Sequence, residues 1–396
     1  MAYTTIDDSS EHFQVAKWTG NSQGDAVASR TITNDGNSDL QPDMLWTIPT
    51  DIDSYNWIYD TTRGLASNKG GNPTVTDAMT SGNGGVGGYP SAVTSDGFTV
   101  VKGSSGTVAT EYVNQAAHED GTTAGHATSY VAYQWKANGG TTTSFSAESA
   151  ASGSLLAGSY QANTTSGFSI VTYTGDGGTP RTALHGLGVA PEVIITKRIP
   201  SAGSWIVLGD YMHQGGSPWH SNAMELDTTD NSGGSKNTVG GNNPATTTRY
   251  YIGDHDDVNA SSSTYISYCF APKKGFSKFG WYEGIANANG PFIYTGFKPA
   301  WVLVKNLDND GWNWALIDHK RTPFNGEGVA KWFWPDLAQK EFTDTQSGID
   351  MDMDLLSNGF KITTARSELN LASTFFYMAF AEQPFVTSDG VPVTGR

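Results

Sequence analysis

The sequence predicts an all-β protein made of three tandem β-sandwich-like repeat units with long loops rich in Gly, Ser and Thr. Three observations predict it. Four landmark phrases recur three times, in the same order, along the 396 residues. Strand-length runs of apolar, β-branched and aromatic residues alternate with clusters of Gly, Asn, Ser, Thr and Asp. The 47 glycines and 16 prolines leave almost no stretch long enough for an ordinary helix.

The first landmark is a Phe-led strand ending in an aromatic and a Gly turn: FQVAKWTGN at 13–21, FSIVTYTGD at 168–176 and FSKFGWYEG at 276–284. The second is a proline phrase: SDLQPDMLWTIP at 38–49, LGVAPEVIITKR at 187–198 and TGFKPAWVLVKN at 295–306. Its apolar run has the length and β-branched content of a buried strand. A Pro just before the run suits a strand entrance, where the missing N–H costs no ladder bond.

The third landmark is a tryptophan strand ending in an acid: YNWIYDTTR at 55–63, SWIVLGDYMH at 204–213 and WNWALIDHKR at 312–321. Asp60, Asp210 and Asp318 follow their prolines by 18, 19 and 19 residues, and Arg63 and Arg321 each stand three beyond the acid. The fourth is an aromatic strand: SYVAYQWK at 129–136, TYISYCFA at 264–271 and TFFYMAFA at 374–381. Its first aromatic follows the proline by 88, 74 and 76 residues. SDGFTVV at 95–101 and SNGFKIT at 357–363 add a hairpin to the first and last units, with Asp-Gly and Asn-Gly at the tight turn. EGVAKWFWPDLAQKEF at 327–342 is the best candidate for a short helix or turn, and Pro335 interrupts it.

These landmarks place unit one at 1–136, a Gly/Ser/Thr/Ala-rich linker at 137–166, unit two at 167–274, and unit three with a C-terminal tail at 275–396. The tight junction APKKGFSKFG predicts that units two and three pack as a rigid pair, with unit one more free. Unit one also holds a glycine-rich loop at 64–94, long enough to be a contact surface.

Composition excludes several classes. With 37% apolar and 12% aromatic residues, each of two or three domains can bury a core. A net charge of −16 and a pI of 4.7 repel a phosphate backbone or an anionic leaflet, so nucleic acid is not an expected partner. No window approaches 18 consecutive apolar residues, and MAYTTIDDSSEHF lacks an apolar core, so neither membrane insertion nor a secretory signal is expected. Synthesis in a cytoplasm follows. Cys269 is the single cysteine, so no intrachain disulfide can form. Within TYISYCFA, and with no cation beside it in sequence, it reads as a small buried apolar residue.

The opening MAYTTIDDSSEHFQ and the phrases NDGNSDLQPD, AYQWKANGG, GFSIVTYTGDG, HGLGVAPEVIITKR, GPFIYTGFKPAWVLVKN and FYMAFAEQPF resemble a family of structural, fibre-like or tail-fibre-like virion proteins of marine tailed bacteriophages. The resemblance covers nearly the whole chain. It departs in unit three, where WNWALIDHKR replaces the more usual Trp-Ile-Tyr-Asp wording. It implies a structural protein on the exposed surface of the virion, a head or tail fibre or decoration with a part in host attachment. Other virion proteins are its implied partners, together with further copies of itself, a trimer being common among phage appendages. It implies no catalytic residue.

Against that stands a lectin-like or polysaccharide-depolymerising protein. Trp57, Trp205, Trp312 and Trp314 are its candidate glycan contacts, since sugars stack on aromatic faces. The competing reading puts these tryptophans in the core, with Trp312 and Trp314 facing one way together. Asp60, Asp210 and Asp318, with Arg63 and Arg321, can be acids with orienting bases, or a salt bridge repeated because the fold repeats. Two aspartate clusters are candidate calcium sites: Asp254, Asp256 and Asp257 in GDHDD, and Asp350, Asp352 and Asp354 in DMDMD. The second lacks a calcium loop's central Gly, Leu355 standing there, and its closing Glu, Lys361 standing there. Solvated acidic turns are the alternative for both. No zinc spacing, phosphate loop or nucleophile elbow appears, so no cofactor beyond calcium is expected.

Overall fold

The computed structural model describes residues 3–20, 29–79, 88–103, 113–114, 128–149, 151–178, 180–209, 223–231, 239–241, 243–326, 328–343 and 351–392. Among them the chain is nearly all β. Its N-terminal third supplies β1 (Phe13–Thr19), β2 (Ser29–Thr33), β3 (Met44–Pro49), β4 (Trp57–Asp60), β5 (Tyr89–Thr94), β6 (Gly97–Val101) and β7 (Ser129–Trp135). The middle supplies β8 (Thr143–Phe145), β9 (Gly158–Asn163), β10 (Phe168–Thr174), β11 (Arg181–Leu184), β12 (Val193–Arg198), β13 (Ile206–Gly209), β14 (Met224–Glu225), β15 (Arg249–Ile252) and β16 (Thr264–Phe270). The C-terminal third supplies β17 (Ser277–Glu283), β18 (Phe292–Tyr294), β19 (Phe297–Asn306), β20 (Ala315–Asp318), β21 (Lys331–Phe333), β22 (Phe342–Thr343), β23 (Met353–Leu356), β24 (Gly359–Ile362) and β25 (Thr374–Pro384). Two single-turn helices, α1 (Asp256–Asn259) and α2 (Ser367–Asn370), interrupt the pattern.

Three larger antiparallel sheets carry the architecture. Their strand orders are β1-β7-β3-β4, β14-β13-β12-β16-β10-β9-β8, and β17-β25-β19-β20-β21-β22. A smaller sheet accompanies each: β2-β6-β5, β11-β15 and β18-β24-β23. One face of each larger sheet packs on its small sheet, giving sandwich-like cores such as that of Ala16, Trp18, Leu45 and Tyr130 with Ile32, Phe98 and Val100. The opposite faces meet one another. Met44, Trp46, Tyr133 and Trp135 of the first sheet, Val193, Ile195, Tyr268 and Phe270 of the second, and Trp301, Leu303 and Phe380 of the third lie in one cluster. A sheet covered on both faces needs no polar alternation, which is why β3 is buried at all six positions.

Several local expectations change. The stretch 137–166, expected as a linker, contains β8 and β9, and β9 pairs with β10 in the middle sheet. The N-terminal third, expected to be freer, contributes directly to the shared core. Of the helix or turn expected at 327–342, the turn is found, at Pro335 between β21 and β22, whose Trp332 and Phe342 pair across the strands. Pro299 lies inside β19 at a register shift, where a missing N–H is tolerated, rather than before the strand. Gly97 and Gly359 open strands just past their turns. A Cβ at Gly97 would stand 2.0 Å from the Ile32 carbonyl oxygen, and one at Gly359 2.1 Å from that of Ile293. Close approach of a neighbouring strand requires glycine at both, and at Gly97 a positive φ of 110° requires it as well.

Candidate functional site at the sheet junctions

The three larger sheets close on each other through aromatic rings. Trp135 of β7, Phe270 of β16 and Phe380 of β25 form a triangle, with centroids 6.3, 5.6 and 5.8 Å apart. Trp301 sits edge-on to Trp135 at 5.7 Å. Such pairs each contribute roughly 0.5–1.5 kcal/mol beyond the area they bury.

Around the triangle, buried polar groups bond from one sheet to the next. At the end of β4, Asp60 accepts from the Arg63 side chain at 2.6 Å and from the Tyr268 hydroxyl of the middle sheet at 2.9 Å. At the end of β20, Asp318 forms an ion pair with Arg321 and accepts from the Tyr133 hydroxyl of the N-terminal sheet at 2.9 Å. Asp60 and Asp318 are wholly buried. Burial pushes the Asp318 carboxyl up, but Arg321 and its bonds outweigh this and hold it below the usual carboxylate range. Burial works against the Arg321 charge too, and Asp318 outweighs it, raising that pKa. Burial pushes the hydroxyls of Tyr133 and Tyr268 well up, so both act as neutral donors.

A second set of contacts follows the same path. The Trp205 indole donates to the Asn72 carbonyl, and the Trp314 indole to the Glu225 carbonyl, each at 2.9 Å. Asn56 donates its amide to the Pro335 carbonyl at 3.0 Å. Lys197 donates to the carbonyls of Thr76 and Gly203, and Lys305 to those of Thr229 and Trp312. Burial lowers both ammonium groups to about 8, opposed by nearby aspartates that include Asp227 for Lys197 and Asp336 for Lys305. Burial raises Asp227 to about 6 and Asp336 to about 7. Each accepts from a tryptophan backbone N–H on one oxygen, while its other oxygen is buried without a hydrogen-bond partner among the described residues.

The sequence-predicted residues fall into place accordingly. Trp57, Trp205 and Trp314 are buried, so none presents a ring face to a sugar; they are core and junction residues. Trp312 is half-buried outside β20 and does not share the fully buried setting of Trp314. Asp60 and Asp318 are held in ion pairs, and Asp210 lies outside the described residues. Gly209 pairs with Val193 where Asp60 pairs with Met44 and Asp318 with Trp301. Asp254 and Asp256 are exposed, whereas Asp257 is buried at the start of α1 with its Oδ2 3.6 Å from His255 Nδ1. Asp352 is buried and accepts from the Met353 N–H at 2.9 Å, Asp354 is half-buried in β23, and Asp350 lies outside the described residues. Among the described residues no three His, Cys, Asp or Glu side chains converge as metal ligands would. Cys269 is buried, and burial raises its thiol pKa. The described part of the glycine-rich loop packs inward: Met79 N–H bonds the Ile199 carbonyl at 3.0 Å, and Gly203 N–H that of Thr76 at 2.8 Å.

A cleft of about 160 Å³ opens where β1 meets the C-terminal sheet. Its polar wall is largely paired. His319 Nδ1 lies 2.9 Å from Glu382, which also takes Lys298 at 3.0 Å, and Lys320 reaches Asp35 at 2.6 Å.

Sequence reasoning missed Tyr133, Tyr268, Lys197, Lys305, Asp227 and Asp336. Two signals were present: a tyrosine at one position of the AYQW and SYCF phrases, and a lysine six residues after both Pro191 and Pro299. Asp227 and Asp336 lie in no repeated phrase.

Compared with known families, the chain matches a model described as a domain of unknown function, DUF7483, over residues 8–384. No curated protein and no solved structure matches it.

Proposed function

The chain belongs to the DUF7483 family, and we propose that it is a structural protein of a tailed-phage virion, a surface appendage of head or tail built from three copies of one β-sandwich unit. The sequence phrases resembling virion fibre-like proteins support the phage assignment. The repeat is supported by strand order: opening, aromatic, proline and tryptophan strands run β1-β7-β3-β4, β10-β16-β12-β13 and β17-β25-β19-β20.

The observation that carries an architectural role is the use of the repeated acid. Asp60 and Asp318 are sealed under an arginine and a tyrosine from another sheet, an arrangement that fixes sheets and leaves neither of these carboxylates free to act on a glycosidic bond. On this reading the partners are other virion proteins and further copies of the chain, and the protein is not an enzyme. Labelled antibody on purified particles tests it. The expected result is labelling of head, collar or fibre; its absence from intact particles overturns the proposal.

Glycan binding is retained as a second reading on one observation: Phe292 and Tyr294 stand exposed side by side on β18. Adhesion to a host-surface polysaccharide is compatible with the appendage role.

A further inference from the structure

We infer that the outward face of β18, with Tyr3 beside it, is a binding site for an acidic polysaccharide, a glycan chain bearing carboxylates. This deepens the adhesion reading and rests on it.

In β18, buried Ile293 separates Phe292 and Tyr294, which are 46% and 47% exposed. Alternation along a strand puts both rings on one face about 7 Å apart. Two adjacent exposed aromatics form a platform of the kind that the apolar faces of sugar rings cover. Hydroxyl partners lie beside it. The Tyr3 hydroxyl is 3.0 Å from that of Tyr294, and the Asn289 side-chain amide lies near enough to accept from Lys361 at 2.6 Å.

Charge selects the class of glycan. Lys278 Nζ lies 5.5 Å from the centre of the Tyr294 ring and bonds the Tyr294 carbonyl at 2.6 Å. Lys274 Nζ lies 4.6 Å from the centre of the Tyr3 ring. Lys361 pairs with Phe292 across the sheet. None of the three lysines has a carboxylate within 4 Å among the described residues, unlike Lys298, Lys320 and Lys331. On a chain of net charge −16, three ammonium groups with no ion pair among the described residues rim an aromatic platform, although Asp354 stands across the sheet from Lys361. The ligand that fits must offer apolar ring faces and hydroxyls to the aromatics and negative charge to the rim. A neutral glycan lacks the second.

Affinity electrophoresis of the full chain in native gels containing polygalacturonate, alginate or neutral dextran tests the site. Both polyuronates are expected to retard the protein and dextran to leave it unretarded, with retardation weakening as salt is raised. Phe292→Ala with Tyr294→Ala should weaken polyuronate binding at least tenfold, and Lys361→Gln with Lys274→Gln severalfold, at unchanged melting temperature. Trp312→Ala should leave binding as it is. No retardation by either polyuronate, equal retardation by dextran, full binding by the Phe292/Tyr294 variant, or tighter binding to a single-stranded oligodeoxynucleotide would each overturn the inference. Particle labelling is read independently, so a failure of this site is distinguishable from a failure of the virion assignment.

Discussion

Tyr133 and Tyr268 are where a single atom matters most. Each hydroxyl donates to a buried carboxylate on another sheet, and removing it leaves one oxygen of Asp318 or Asp60 short of a bond in a place water does not reach. Tyr133→Phe and Tyr268→Phe should each destabilise by about 1–3 kcal/mol in urea unfolding. Asp318→Ala, which leaves buried Arg321 with only Glu341, at 3.4 Å, as a carboxylate partner, should cost about 3 kcal/mol. If Tyr133→Phe changed nothing, the hydroxyl would not be part of the clamp. The acids and arginines were legible as a repeated pair, but their partners were not, because spacing along one strand carries no information about which sheet lies opposite. Met378 of the C-terminal sheet pairs with Leu303 where Tyr133 pairs with Trp46 and Tyr268 with Ile195, and in the middle third of the sequence His213 stands three after Asp210, where Asp60 and Asp318 are followed by arginine.

Asp336 supplies the pH dependence. Its folded pKa, about 7, lies above the ordinary carboxylate value, so the unfolded chain releases the proton first and stability falls as pH rises from about 4 to 7. Asp227 acts in the same direction up to about 6. His12, lowered by burial to about 4, acts in the opposite direction, so the clean readout is a difference between variants. Asp336→Asn should gain stability relative to the parent on going from pH 5 to pH 8, on the order of 2 kcal/mol, and level off above pH 7. A constant difference across that range would mean that Asp336 keeps an ordinary pKa.

At the scale of elements, the alternating and continuous apolar runs announced the strands, and the four landmarks became one strand each. The predicted turns were in the right places for an incomplete reason. Gly97 has a positive φ of 110° and also faces the Ile32 carbonyl, whereas Gly359 meets only the second constraint. Gly359→Ala should therefore destabilise by about 2 kcal/mol although no left-handed backbone is involved, because the added methyl must displace a carbonyl of β18. Thermal unfolding of the variant checks this, and an unchanged melting temperature would contradict it. The 137–166 segment was misread because β8 and β9 are short and mostly small or polar, with Phe145 and Tyr160 their only large apolar residues. They are strands because β10 offers a paired edge, a tertiary cause that composition does not carry.

The whole molecule departs furthest from expectation. Sequence boundaries suggested a rigid pair and a freer first unit, but a linker's composition says nothing about which faces the units bury. Trp46, Tyr133 and Trp135 look like ordinary core residues of a sandwich, and only the structure shows that they point away from their own small sheet toward the other two larger sheets. The central claim is that the three larger sheets share one core and one set of clamps. Differential scanning calorimetry of the full chain tests it most directly. The account predicts a single transition whose calorimetric and van't Hoff enthalpies agree, with Tyr133→Phe shifting the whole transition to lower temperature. Two or three resolved transitions, with Tyr133→Phe moving only one of them, would contradict it.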